Sequence, residues 1–313
     1  MRDEPGQWPL VSVILPTRGR TELVREALSA VVGQTYPGMI ECIVVHDQEP
    51  PQPELESFGT ASRSVHVVAN SRSPGLAGAR NTGVALARGE FIASCDDDDA
   101  WHPTKLYAQI SRLLDQTDLL VVGSGIRLML PDDKIINWPG RAERISYQLL
   151  LRNRVKELHS STLVMRRDAF AKAGLYDEAT PNGYAEDYDW VLRAARVGRI
   201  GVVVNPLADI RKDAQSSSSY YGQAAITAAG LEYLLAKHHD LTASRRGRAR
   251  LLGQLGFARS VLGERRPALR CATAAIMLWP ASPHGYLALA HVVTGLDRRH
   301  VLRVARLFGR GLA

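Results

Sequence analysis

Residues Phe91–Trp101 read FIASCDDDDAW. An apolar run carries the backbone to Cys95 and stops on four adjacent carboxylates, Asp96, Asp97, Asp98 and Asp99, with no lysine or arginine before His102 to offset them. Four neighbouring negative charges repel one another, so positive charge must come from elsewhere. Mg2+ or Mn2+ would supply it economically, taking carboxylate oxygens together with phosphate oxygens of a substrate. The competing reading is a solvated acidic turn or a helix cap. Position bears on the choice: in open α/β sheets, ligands bind just outside the carboxyl ends of strands.

The preceding sequence builds such a sheet. Leu10–Leu15 (LVSVIL) has the continuous apolar, β-branched character of a buried parallel strand and is broken by Pro16-Thr17-Arg18-Gly19-Arg20. Thr21 is placed to cap a helix whose apolar positions Leu23, Val24, Ala27, Leu28, Val31 and Val32 recur at helical spacing. Glu41–His46 is a second strand, which completes a βαβ unit. Val65–Ala69 is a third. A helix from about Ala79 to Ala87, stopped by Gly89, leads into Glu90–Cys95 as the fourth, so the aspartates fall at a strand's carboxyl end. Further on, Asp118–Met129 predicts a central strand and LMLPDDKIINW a hairpin turning at Asp132-Asp133. Ile145–Leu151 predicts a helix and Ile200–Val204 the last strand of the sheet.

Composition narrows the classes. A chain of 313 residues with 45% hydrophobic and 23% charged residues is globular, with room for one large domain and an appendage. No apolar run reaches the roughly eighteen residues that span a bilayer, and MRDEPGQWPL lacks the basic-then-apolar order of a signal peptide. Cys42, Cys95 and Cys271 are far apart in apolar runs, which predicts buried thiols and a cytoplasmic location. From Ala225 onward 14 basic residues face 4 acidic ones, whereas the remainder holds 25 against 28. Such a basic tail suits an anionic membrane surface, an acidic partner or a second copy of the chain. Nucleic acid ranks last, because the interleaved aromatic and basic residues of an RNA reader are missing. Residues 221–313 are rich in Ala, Leu and Arg with helical periodicity, so the expected division is an α/β domain over 1–220 and an all-α region over 221–313.

The segments VSVILPTRGR, VVGQTYP, ECIVVHD, GLAGARNTGVALARGEFIASCDDDD and GYAEDYDW stand in this order between Pro9 and Ser219. In order and spacing the chain resembles family 2 glycosyltransferases. The resemblance implies a GT-A fold, a Rossmann-like, mixed and mainly parallel sheet flanked by helices. It also implies an inverting enzyme with a nucleoside-diphosphate-sugar donor, UDP-sugar favoured, an acceptor not identified by sequence, and Mn2+ or Mg2+. Carried onto this chain, Pro16, Thr17 and Arg18 border base and ribose, Asp47 accepts from the base, and Arg80 meets base or diphosphate. The Asp-x-Asp-Asp pattern puts Asp96 against the ribose or behind the metal, makes Asp98 the leading metal ligand with Asp99 as a supporting ligand or loop-fixing residue, and leaves Asp97 at the variable position. The base lies in the Glu186-Asp187 pair, with Asp187 preferred. Arg211, with Lys212, is expected on a mobile phosphate-clamping loop, and His159 is a weaker candidate near the acceptor. His46 before Asp47, and Gln48-Glu49 after it, depart from the family's usual residues and leave the base open. In the tail, Leu252, Leu255, Gly256, Ala268, Ala272, Ala275 and Pro280 resemble one tetratricopeptide-type helical hairpin. Two other classes stay in view: a sugar-1-phosphate nucleotidyltransferase, which expects a glycine-rich phosphate loop that PTRGRTE lacks, and a non-catalytic nucleotide-sugar-binding scaffold.

Overall fold

The computed structural model describes residues 8–130, 134–211 and 224–295. The chain divides into two compact units, one of residues 1–147, 155–179 and 185–214, the other of residues 148–154, 180–184 and 215–313.

The first unit is built on a ten-stranded mixed sheet. Its strands are β1 (Val11–Thr17), β2 (Ile40–His46), β3 (Arg63–Ala69), β4 (Phe91–Ser94), β5 (Ala100–Trp101), β6 (Leu119–Met129), β7 (Ile135–Trp138), β8 (Arg144–Ile145), β9 (Val164–Arg166) and β10 (Arg199–Arg211). The order is β3-β2-β1-β4-β9-β6-β10-β5, with β7 on β6 and β8 on β10. β1, β2, β3 and β4 pair in parallel, as do β6 and β10, while β9 runs antiparallel between β4 and β6. Every residue of β1 and β2 is buried, which is why both read as nearly continuous apolar runs. Because β2 and β4 flank β1 on opposite sides, the strand order reverses there, and the carboxyl ends of β1, β2 and β4 border one crevice.

Helices α1 (Thr21–Val32) and α2 (Leu76–Leu86) connect these strands. Thr21 is the first residue of α1 rather than its cap; Arg20 holds that position without a side-chain cap, and the Thr21 hydroxyl accepts from Gln52 at 3.2 Å. α2 begins three residues earlier than its periodicity suggested. A Cβ on Gly78 would stand 1.9 Å from the Ser73 carbonyl oxygen, so only glycine lets the 70–75 loop fold back on this helix. α3 (Lys105–Asp115), α4 (Tyr147–Arg152), α5 (Asp168–Ala173) and α6 (Glu186–Val197) follow, of which α4 after its first residue belongs to the second unit. The last strand does not stop at Val204: Ala208–Arg211 stays in register with β6, and Ala208 and Asp209 also pair with β5. Polar residues there read as a loop, yet their backbone groups are taken up by neighbours on both sides. The expected turn at Asp132-Asp133 lies outside the described residues.

The second unit is helical among its described residues, with α7 (Ala224–Lys237), α8 (His239–Ala243), α9 (Arg245–Val261), α10 (Arg265–Leu278) and α11 (Pro283–Thr294). Ser244 and Ser282 cap α9 and α11 through the amides of Gly247 and Gly285. α9 and α10 join through a turn at Gly263, φ +80°, and Gly256 lies against Ala268 and Ala272, where small side chains allow close approach. The end of the expected helical region, residues 296–313, lies outside the described residues. Among the described residues, no helix is long and apolar enough to cross a membrane.

Candidate active site

The crevice is lined first by strand ends. Pro16 and Thr17 close β1, and the Thr17 hydroxyl donates to Asp97 at 2.8 Å. Asp47 follows β2 and is buried. It accepts from Asn70 Nδ2 at 2.8 Å, from the Gly75 amide at 3.0 Å and from Gln48 Nε2 at 2.9 Å. Burial favours its neutral form, but these donors outweigh burial and hold the carboxyl below its ordinary value. Arg18 is exposed and reaches Asp47 only through its charge. His46 beside it is buried, with Nδ1 2.8 Å from Glu49, whose other oxygen accepts from the Gly19 amide at 2.6 Å.

The four aspartates separate by partner. Asp96 accepts from Arg80 Nη2 at 2.6 Å and from the Ser160 hydroxyl, and its amide donates to Ser161 Oγ at 3.0 Å. Burial opposes its ionisation, but Arg80, His159 and Ser160 together hold it below its ordinary value. Asp97 and Asp98 share Arg20, whose Nη1 lies 3.0 and 2.8 Å from them. Asp99 is buried. It accepts from Ser161 Oγ and, at 3.1 Å, from the Arg211 amide. Burial, then repulsion by Asp96 and Asp98, pushes its carboxyl well above the ordinary range. His159 Nδ1 lies 3.7 Å from Asp99. Ligand atoms of Asp96, Asp99 and His159 all fall within 4.8 Å of one another. Two carboxylate oxygens and an imidazole nitrogen are a donor set that a divalent ion could use.

The second acidic centre opens α6. Ala185 precedes it with φ +57°, and Glu186, Asp187 and Asp189 occupy the first turn, all buried. Asp189 is spent on Arg193 at 2.9 Å. Glu186 pairs with Arg80 Nη1, so one fully buried guanidinium bridges the two acidic centres, with the Tyr176 ring 5.5 Å from its carbon. Burial, with Asp187 adding to it against the pull of Arg80, pushes Glu186 up to about 7. The Asp187 carboxylate accepts the Tyr188 amide at 2.7 Å. Trp190 is core: it is fully buried, donates to the Gly174 carbonyl at 2.9 Å and stacks against Phe170 and Tyr176.

The structure therefore gathers Thr17, Arg80, Asp96, Asp97, Asp98, Asp99, His159, Glu186 and Arg211 into one network. Asp187 joins it through its charge beside Arg80 and Glu186. Asp47 sits at the neighbouring strand end. Three placements differ in kind from the expectation. Arg80 spends its guanidinium on carboxylates, Asp98 faces Arg20 rather than the Asp96–Asp99–His159 cluster, and Arg211 ends a strand with its guanidinium 2.7 Å from Glu26. Lys212 lies outside the described residues. Ser160, Ser161 and Asn70 went unnoticed in the sequence; the HSST run was visible, but nothing in it announced which hydroxyls meet aspartates. Arg20 stood in the quoted loop two residues from Arg18, with no pattern to favour it.

Residues 12–174 match the family described as glycosyl transferase family 2. An uncharacterized glycosyltransferase of Rickettsia felis is 30% identical over 207 residues, covering 61% of this chain and 32% of that protein. The chain thus spans about a third of that relative's length. The Escherichia coli UDP-Glc:alpha-D-GlcNAc-diphosphoundecaprenol beta-1,3-glucosyltransferase WfgD is 30% identical over 144 residues, 46% of this chain and 56% of that one. Among solved structures, Staphylococcus aureus TarS 1-349 in complex with UDP-GlcNAc aligns over 97% of this chain and 93% of its own with TM-score 0.60 and 18% identity. Mannosyltransferase PcManGT of Pyrobaculum calidifontis, in complex with GDP-Man and Mn2+, aligns over 94% and 90% with TM-score 0.54 and 16% identity. At these identities the likeness is one of fold, and the fold is GT-A-like.

Proposed function

The chain belongs to glycosyl transferase family 2, and from that premise we propose that it transfers a sugar, with inversion, from a nucleoside-diphosphate sugar to an acceptor hydroxyl. The observation that carries this reading is the pairing of a cation-seeking cluster, Asp96, Asp99 and His159, with a second buried carboxylate pair tied to it through Arg80. Asp96, Asp99 and His159 would hold Mn2+ or Mg2+, with Asp98 adjoining. When bound, the ion supplies Lewis-acid neutralisation of the departing diphosphate. Asp187 is assigned the base, because the Glu186 carboxylate is committed to the buried Arg80 guanidinium. Pro16, Thr17, Arg18 and Asp47 border the nucleoside. UDP is favoured, supported by the donor in WfgD's name and the UDP-GlcNAc held by TarS. We place the boundary between catalytic and helical regions near residue 220, and keep the basic tail as the surface for a membrane or a second copy.

Thermal shift with UDP, GDP and their sugars, with and without Mn2+, tests the donor. At a hundredfold excess over Kd, a ligand stabilises by about 2.7 kcal/mol, so UDP with Mn2+ should raise Tm visibly. Asp187→Asn should keep that shift and lose transfer. Absence of any nucleotide shift would overturn the donor assignment, and full transfer activity in Asp187→Asn would overturn the base.

A further inference from the structure

Two arginines neutralise the acidic run, and they are held in different ways. Arg80 is sealed in the core between Asp96 and Glu186. Arg20 stands at the start of α1 with its side chain half exposed, and a single nitrogen, Nη1, reaches both Asp97 Oδ1 and Asp98 Oδ2. Ion pairs with one end in water are held weakly, since solvent competes for both partners. Arg20 can therefore leave without disturbing the core. Asp97 keeps the Thr17 hydroxyl at 2.8 Å when it does.

Asp98 is the acid that this contact withholds. It directly precedes Asp99, one of the three residues whose ligand atoms already converge, yet its carboxylate is turned to Arg20. A divalent cation entering here meets a guanidinium that repels it and holds an oxygen it would use. Building on the reading of this site as a divalent-metal centre, we infer that Arg20 is a displaceable internal counter-cation, paired with Asp98 in the metal-free chain and yielding it to the bound ion. Arg20 is thus a positioning residue that sets how tightly the chain holds its metal.

The test uses the full chain and Mn2+ alone, with free Mn2+ read by electron paramagnetic resonance. Arg20→Gln should bind Mn2+ about three- to fivefold more tightly than the parent, the size expected for a half-exposed pair. Arg20→Lys, which keeps the charge, should stay near the parent. In an Asp98→Asn background Arg20→Gln should bring no gain, because the two effects act through one contact. A purely structural role would not tighten metal binding. The inference is overturned if Arg20→Gln binds equally or more weakly, if Arg20→Lys gains as much, or if the gain persists beside Asp98→Asn. Parent binding that Asp99→Asn abolishes, with no gain in Arg20→Gln, overturns this inference alone. No Mn2+ binding by the parent overturns the metal reading and the inference together.

Discussion

Replacing Lys105 with methionine should stabilise the protein at pH 6. Lys105 opens α3 with its side chain fully buried, and its ammonium has no hydrogen-bond partner among the described residues. What it has is the Trp101 ring, 4.0 Å away at the centroid. Burial lowers the ammonium from 10.5 to about 7, and at about 1.4 kcal/mol per pH unit that is a cost of about 5 kcal/mol for keeping the charge inside. A desolvated cation–π contact returns about 2 kcal/mol, and methionine fills nearly the same volume at a cost of about 1 kcal/mol or less. Burial therefore wins, and the variant should gain about 2–3 kcal/mol, or roughly 4–12 °C in Tm. The sign with pH is fixed. The unfolded lysine keeps its proton to about 10.5 and the folded one loses it near 7, so between these values the parent gains stability as pH rises. The advantage of methionine is full below about pH 7 and nearly all gone by pH 9. Scanning fluorimetry of parent and variant at pH 6 and pH 9 reads both effects. A lower Tm for the variant at pH 6, or the same difference at both pH values, would refute the account.

Arg80→Met leaves the half-buried Asp96 and the buried Glu186 without their shared cation and should cost about 3–5 kcal/mol in urea unfolding; Arg80→Lys should recover little, since one ammonium cannot fork between two carboxylates. Asp99→Asn and His159→Ala should each lower Mn2+ affinity at least about tenfold, as loss of a ligand does, and Asp99→Asn should not lower Tm, because it removes a carboxyl that burial and its neighbours already disfavour as an anion. Glu186 sits at about 7 when folded against an ordinary 4.5, so its contribution to stability is fully present below about pH 4.5 and is lost as pH rises through about 7. Glu186→Gln should flatten that part of the Tm–pH curve, and an unchanged slope would show that another group sets it.

Most of the parallel half of the sheet was legible because its strands are buried on both faces, and burial writes itself as runs such as VSVIL and CIVV. Residues Ala208–Arg211 were not: their strand character comes from register with β6 and β5, a long-range pairing that leaves no period in ADIR. The site shows the same contrast. Asp47 and the aspartate run could be placed from their positions at strand ends. Which partner each carboxylate takes could not, because Arg20, Arg80, Ser160 and Ser161 meet it across 60 or more residues in most cases. All three cysteines are free and buried, as their apolar surroundings implied. His159 had only a weaker claim on the site, near the acceptor. It accepts the Ser161 amide at 3.4 Å and also faces Asp99, because the short turn it begins passes beside the acidic run.

Positive charge is unevenly supplied along Asp96–Asp99. Asp96 has Arg80 and lies below its ordinary value. Asp97 and Asp98 divide Arg20 between them and are raised, mainly by burial. Asp99 has a hydroxyl and an amide as its hydrogen-bond donors, and it alone of the four is pushed well above its ordinary range. Arg80 already divides its two terminal nitrogens between Asp96 and Glu186. A cation at Asp99 would therefore relieve the largest electrostatic debt in the run, and it would do so with Asp96 and His159 already at ligand distance from one another. The same cation would weaken the hold of Asp96 on Arg80 and leave more of that guanidinium's charge for Glu186 and Asp187. A charge placed at one acidic centre would thus be felt at the other through a single buried arginine.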